Sequence, residues 1–211
     1  MNIILLGAPG SGKGTQSEFL CDKKNFIQLS TGDLFRTNIL NKTKLGLEAQ
    51  KYMNQGLLVP DLITNEMVKE YLERKHDNLI FDGYPRTDDQ AQQLDKMLLL
   101  LNSKIDLVIY IEIDESLLLE RLTGRIVCSI CKRSYHKVNR KPIRNGFCDF
   151  DNGTLITRPD DQEDKIKIRL EAYNTQTAPL IKFYENKLKI INANNLSSEE
   201  VYNKILGVLK I

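Results

Sequence analysis

No apolar run in this 211-residue chain approaches the roughly 18–20 residues that a membrane span requires. The longest, Met97–Leu101, reads as one face of a helix. Neither sign of charge is in excess: 30 Lys+Arg against 28 Asp+Glu leave +2. That balance argues against a general nucleic-acid coat and against polybasic membrane binding. No basic leader and no small-residue cleavage site precede Ile3-Ile4-Leu5-Leu6-Gly7, so the expectation is a cytoplasmic protein. Cysteine is scarce, with four residues. In a reducing compartment, paired cysteine spacing indicates a metal more often than a disulfide. Cys21 stands apart from the other three and reads as a small hydrophobe on a helix. Internal repeats and low-complexity tracts are absent as well. What remains is 41% hydrophobic and 27% charged, an ordinary globular composition for one domain with small insertions.

Strand and helix signals alternate along the chain. Asn2–Leu6, Phe26–Leu29, Leu79–Phe81, Leu107–Ile113 and Leu188–Ile191 are short apolar runs that read as buried strands. Leu62–Arg74 spaces Ile63, Met67 and Tyr71, and also Val68 and Leu72, by four residues, as a helix face requires. Ala91–Leu101 repeats the pattern with Leu94, Met97, Leu98 and Leu101. Capping-box spacing marks three helix starts, at Thr87–Gln90, Asp160–Glu163 and Ser197–Glu200. Strands separated by helices must run parallel with right-handed crossovers. The expected fold is therefore α/β, a three-layer sandwich around a five-stranded parallel sheet. Two stretches depart from the alternation. Residues 30–59 read as short helices broken at Gly46 and Gly56, and residues 126–160 lose the helical period. Both look like excursions from the carboxyl-end rim of the sheet, where ligands of such folds bind.

Gly7-Ala8-Pro9-Gly10-Ser11-Gly12-Lys13-Gly14-Thr15 follows a predicted strand and opens a predicted helix. Its G-x-x-x-x-G-K spacing departs from the strict phosphate-loop pattern only in placing Thr15 one residue late. Glycines let the backbone turn its N–H groups around a phosphate, the helix N-terminus adds positive potential, and Lys13 reaches the β/γ oxygens. This is a nucleoside-triphosphate site of the P-loop nucleoside triphosphate hydrolase-like fold. A GTPase would need N-K-x-D to read its base, and the near-matches Asn41–Lys44 and Asn186–Lys189 lack the aspartate. A motor ATPase would usually end a longer apolar run in Asp-Glu. Here the third strand runs into Asp82-Gly83-Tyr84-Pro85-Arg86.

With Gly7–Thr15, Ser30-Thr31-Gly32-Asp33, Asp82–Arg86 and Arg158-Pro159-Asp160-Asp161 in order, the chain resembles the adenylate kinase family from residue 1 to about 190. The resemblance implies a nucleotide-binding core over residues 1–29, 60–123 and 162–211. It also implies an AMP-binding domain at 30–59, a lid at 124–161, and a monomer that converts ATP and AMP reversibly into two ADP with Mg²⁺. In the family's roles, Gly10, Ser11, Gly12, Lys13, Gly14, Thr15 and Arg125 hold the ATP phosphates, and Arg121 covers the ATP adenine. Ser134, Tyr135 and Asn195 are further ATP contacts, Asn195 being the nearest match where the usual V-D-G-x pattern is missing. Arg36 and Arg86, with Gly83, Tyr84 and Pro85, would meet the AMP phosphate; Arg158 and Arg169 would bridge the two nucleotides. Thr31, Gln90 and the backbone of Leu57, Leu58 and Val59 would read the AMP adenine, although Gln90 also closes the Thr87 capping box. Asp82 would hold Mg²⁺ through its waters.

Cys128-x₂-Cys131 and Cys148-x₂-Asp151 repeat one spacing with 16 residues between them, and two such knuckles converge naturally on a tetrahedral metal. Zinc-lid members of the family resemble this arrangement. His136 and Asp149 are rival fourth ligands, and zinc is the expected ion, in a structural role. Two other readings compete with the leading one. The first is another nucleoside-monophosphate kinase, acting on UMP or CMP or using GTP; the long lid and Thr31 argue against it. The second is a zinc-ribbon RNA-binding protein, for which the basic stretch Lys132–Arg144 could speak. A positive lid over polyphosphate accounts for the same charges without nucleic acid.

Overall fold

A computed structural model of the chain describes residues 1–74 and 77–211. Strands β1 (Ile3–Leu6), β2 (Ile27–Ser30), β3 (Leu79–Asp82) and β4 (Leu107–Glu112) follow one another with helices between them. Three short strands, β5 (Arg125–Cys128), β6 (Ser134–His136) and β7 (Leu155–Ile156), come next, and β8 (Leu188–Asn192) returns to the first four. The main sheet has the order β2-β3-β1-β4-β8, parallel throughout. All five expected strands are in it, each within one or two residues of its predicted bounds.

Alternation along these strands explains the layers. Ile4, Leu6, Leu29, Phe81 and Val108 face one side and pack on α4 (Asp61–Leu72) and α5 (Asp88–Leu100). Ile3, Leu5, Ile80, Ile109 and Ile111 face the other and pack on α1 (Lys13–Lys24) and the C-terminal helix Ser198–Leu209. Cys21 joins this second core partly buried. A sheet covered on both faces needs apolar residues on both, hence runs such as Ile3-Ile4-Leu5-Leu6. Among the described residues, no helix is long and apolar enough to cross a membrane. In the run Met97–Leu101 only Leu98 is buried; Leu99 and Leu100 are exposed, and Leu101 caps the helix in solvent.

Residues 30–59 fold as α2 (Thr31–Leu40) and α3 (Lys44–Met53), but the break lies at Asn41–Thr43, not at Gly46. Gly46 is inside α3, where a Cβ would come within 2.3 Å of the Asn38 carbonyl. Glycine there serves close helix packing and stops no helix. Residues 125–156 carry a small antiparallel sheet, order β6-β5-β7, which lost helical periodicity did not reveal. Its strands are two to four residues long, too short for alternation to register. The remaining helices are α6 (Glu115–Thr123), α7 (Glu163–Ala172), α8 (Leu180–Phe183) and α9 (Ser198–Leu209), with a π turn at Tyr173–Thr177 after α7.

Two of the three expected capping boxes are incomplete. Ser197 and Glu200 cap α9 reciprocally. Thr87 accepts from the Gln90 N–H, but the Gln90 side chain does not return the bond. At α7 the cap is Gln162 without a side-chain bond. Asp160 and Asp161 are held instead by arginines across the site, an interaction that outcompetes a local cap.

Candidate active site

β1 leads into the glycine loop, and α1 starts at Lys13 after Gly12, whose φ of 100° only glycine adopts without strain. The loop wraps the lysine: Lys13 Nζ donates to the carbonyls of Gly7 (2.6 Å) and Ala8 (2.9 Å). Burial lowers the Lys13 pKa to about 8; Asp82 works in the opposite direction. Inside the loop the buried Ser11 Oγ has no hydrogen-bond partner, and neither has the buried Arg158 Nε across the cavity.

One continuous cavity of about 730 Å³ opens from this loop. Its walls include Gly10, Ser11, Gly12, Lys13, Gly14, Thr15, Arg121, Arg125, Ser134, Tyr135 and Asn195. They also include Thr31, Arg36, Leu57, Leu58, Val59, Asp82, Gly83, Pro85, Arg86, Gln90, Arg158 and Arg169. Residues hundreds of ångströms apart in an extended chain thus meet at one rim. Tyr84 does not join them: its ring is 1% exposed in the core, and its hydroxyl donates to Asn65 Oδ1 at 2.7 Å.

The cavity is cationic beyond what its own acids neutralise. Burial lowers the Arg86 pKa to about 10, and the Arg169 guanidinium adds to the effect. Arg158 is likewise lowered to about 10 by burial, then by Arg125 and Arg36. The acids present act as scaffolding. The fully buried Asp161 carboxylate accepts from Arg125 Nε at 2.8 Å and from Arg169 Nη1 at 2.9 Å, and so sets both guanidinium planes. Burial pushes the Asp160 carboxyl up, but Arg169, Arg125 and Arg158 outweigh it and hold it below the usual range. Arg36 is paired with Asp33 at 2.7 Å. Cations held in place and short of counter-charge form a site for a polyanion.

At the far end, Thr31 Oγ donates to the Gly83 carbonyl (2.8 Å), which also accepts from Arg86 Nε (2.9 Å). Gln90 accepts from the Arg86 N–H (2.8 Å) and donates to Asp61 Oδ1 (2.7 Å), while Thr87 donates to Asp61 Oδ2 (2.6 Å). Gln90 therefore organises the Arg86 turn as well as facing the cavity.

In the small sheet, Cys128, Cys131, Cys148 and Asp151 place their ligand atoms within 4.8 Å of one another. Both knuckles show the same local bond, from the Ile130 N–H to Cys128 Sγ (3.3 Å) and from the Phe150 N–H to Cys148 Sγ (3.5 Å). Three sulfurs and one carboxylate in this space fit a borderline ion that takes four ligands of mixed sulfur and oxygen type. Neither rival ligand is in the cluster. His136 Nδ1 accepts from the Val138 and Asn139 N–H groups, and its Nε2 faces the Glu120 carbonyl. Asp149 accepts from the Ile143 N–H.

Sequence reading missed several residues that build this site. The basic stretch Lys132–Arg144 reads as positive charge over polyphosphate, but not that Arg133 and Arg140 within it line the cavity and pair with Glu18 is legible there. Gln28 lines it too and donates to Asp82. No motif marks them; the i, i+4 placement of Glu18 and Asp22 on α1 is the one available signal, and it looks like an ordinary solvated helix face.

The family model described as Adenylate kinase matches residues 5–189. The chain is 55% identical to the Adenylate kinase of Mycoplasma capricolum over 213 residues, covering 100% of both. It is 51% identical to that of Mesoplasma florum, covering 99% of this chain and 100% of the relative. With that of Caldicellulosiruptor saccharolyticus the identity is 45%, over 100% of this chain and 98% of the relative.

Proposed function

The chain belongs to the adenylate kinase family, and from its site we propose that it transfers the terminal phosphoryl group of ATP reversibly to AMP, giving two ADP. The observation that carries this reading is the Arg86–Arg125–Arg158–Arg169 cluster, cationic and under-neutralised, facing Lys13 and the glycine loop across one cavity.

ATP lies with its phosphates in the Gly7–Thr15 loop and its adenine toward Arg121 and Asn195. AMP lies at the Thr31 end, with its phosphate at Arg36 and Arg86. An oxygen of the AMP phosphate, already ionised at neutral pH, attacks the γ-phosphorus. The bond from that phosphorus to the β–γ bridging oxygen breaks, and ADP leaves with the electron pair. No protein base or covalent nucleophile takes part. Arg125, Arg158, Arg169 and Lys13 neutralise charge on the transferring group, and Asp161 keeps two of them fixed. Residues 124–161 act as a lid that excludes water, and residues 30–59 as the AMP-binding segment, both around the core formed by 1–29, 60–123 and 162–211.

Two metals complete the reading. Asp82, a carboxylate beside Gly14 on the cavity wall, would hold through water the Mg²⁺ that neutralises the β and γ oxygens of ATP. Cys128, Cys131, Cys148 and Asp151 would hold Zn²⁺, and four protein ligands leave no open position for catalysis. Bound there, the ion would stabilise a segment whose own apolar cluster is small: Cys128, Tyr135 and Cys148 with Ile126, Cys131 and Leu155 packed against them.

The test is kinetic. Lys13→Met and Arg86→Ala should each lower turnover by about a hundredfold or more with the fold retained, as loss of a charge-stabilising group does. Near-normal turnover in either variant would overturn the assignment of that residue.

A further inference from the structure

Gln28 occupies an unusual position. On parallel strands β2 and β3, Gln28 pairs with Ile80 and Ser30 with Asp82, so Gln28 and Asp82 are diagonal neighbours on one face of the sheet. The middle of that face is apolar, carrying Ile3, Leu5 and Ile80 beneath Leu20 of α1. Position 28 is half-buried, at the edge of that apolar surface. There the side chain lines the cavity, and its Nε2 donates to Asp82 Oδ2 at 2.9 Å.

We propose that Gln28 is a positioning residue for phosphoryl transfer, holding the Asp82 carboxylate in the orientation that receives the divalent cation arriving with ATP. This rests on the phosphotransfer reading above. The chemistry of the donor supports it. Asp82 stands near the buried Lys13 ammonium, which attracts it electrostatically and would draw it toward an ion pair. A neutral amide opposes that swing by occupying one oxygen, and it leaves the carboxylate charge intact for a cation. A lysine or arginine at position 28 would cancel that charge, and an aliphatic residue would leave the carboxylate free to turn. Partners that orient metal ligands typically matter about 10–100-fold in affinity or activity, and with Asp82 acting through water the lower end applies.

The test compares the unaltered protein with Gln28→Leu and with Gln28→Met, which keeps the chain length should the branched residue disturb packing. Binding of Mn²⁺ to the protein–ATP complex is read by electron paramagnetic resonance without AMP, so nothing turns over. Affinity should fall about tenfold, while ATP affinity in EDTA stays unchanged. In an Asp82→Asn background the same Gln28 change should have no further effect on Mn²⁺ affinity. A purely structural staple between β2 and β3 would lower the melting temperature and leave the Mn²⁺ affinity alone; that result overturns the proposal. An equal loss of Mn²⁺ affinity in the Asp82→Asn background overturns it too. Absence of ATP–AMP transfer in the unaltered protein would instead overturn the phosphotransfer reading.

Discussion

Arg133, just before β6 of the small sheet, places its Nη1 3.0 Å from Glu18 Oε1 in α1, joining residues 115 positions apart. Arg140 donates to the same Glu18 oxygen at 2.7 Å, and Arg133 also grips both oxygens of Asp22, at 2.7 and 2.8 Å. One face of α1 thus fastens the small sheet over the cavity through ion pairs that lie partly in solvent.

Pairs of this kind are each worth about 1 kcal/mol or less and weaken with salt. Arg133→Ala, or salt raised well above physiological strength, should therefore speed amide exchange in β5–β7 while the main sheet stays protected. Hydrogen-exchange mass spectrometry checks this. Unchanged exchange in the small sheet would mean that other contacts hold it in place.

Lys13 predicts a proton linkage. Its buried ammonium has a pKa lowered to about 8, so much of it is neutral at a pH near 8.5. Polyphosphate favours the charged form and raises that pKa, so binding ATP must take up protons there, and ATP affinity must fall as pH climbs through 8 and beyond. Calorimetric titrations in two buffers of different ionisation heat give the number of protons. Lys13→Met should abolish the uptake; the same uptake in that variant would assign it elsewhere.

For the metal cluster, elemental analysis of the purified protein should find about one zinc per chain, the thiolate-rich set favouring it over magnesium or calcium. Cys128→Ser with Cys131→Ser should lower the melting temperature and loosen β5–β7. Turnover at low temperature should fall far less than in Lys13→Met. Complete inactivity of a folded double variant would make the metal a participant in the reaction.

How much of this was legible depends on the range of the interaction. The main sheet was, because the apolar runs of β1, β3 and β4 are largely buried on both faces, and the edge strands β2 and β8, though mostly exposed or half-buried, are short β-branched or aliphatic runs around the buried Leu29 and Ile191. The glycine loop was, because its chemistry is local to nine residues. Asp160 misled, since its capping spacing was correct but arginines brought from β5 and α7 bind that turn more strongly than a helix N–H does. Gly46 misled because a glycine that breaks a helix and one that lets two helices touch look alike in sequence. Gln28 and Glu18 were silent, because their partners, Asp82 and Arg133, are distant in the chain and no fixed spacing connects them.

We propose that the arginine-lined cavity passes a phosphoryl group from ATP to AMP, with Thr31 and the Gln90 turn selecting the acceptor base. Polar groups built to meet one base discriminate strongly against others. The most direct measurement is steady-state transfer from ATP, with Mg²⁺ present, to AMP, UMP, CMP and GMP in parallel. ADP should form with AMP at a kcat/KM at least about a hundredfold above that of the other three. Equal or faster transfer to UMP, CMP or GMP, or no transfer to any of them, would contradict it.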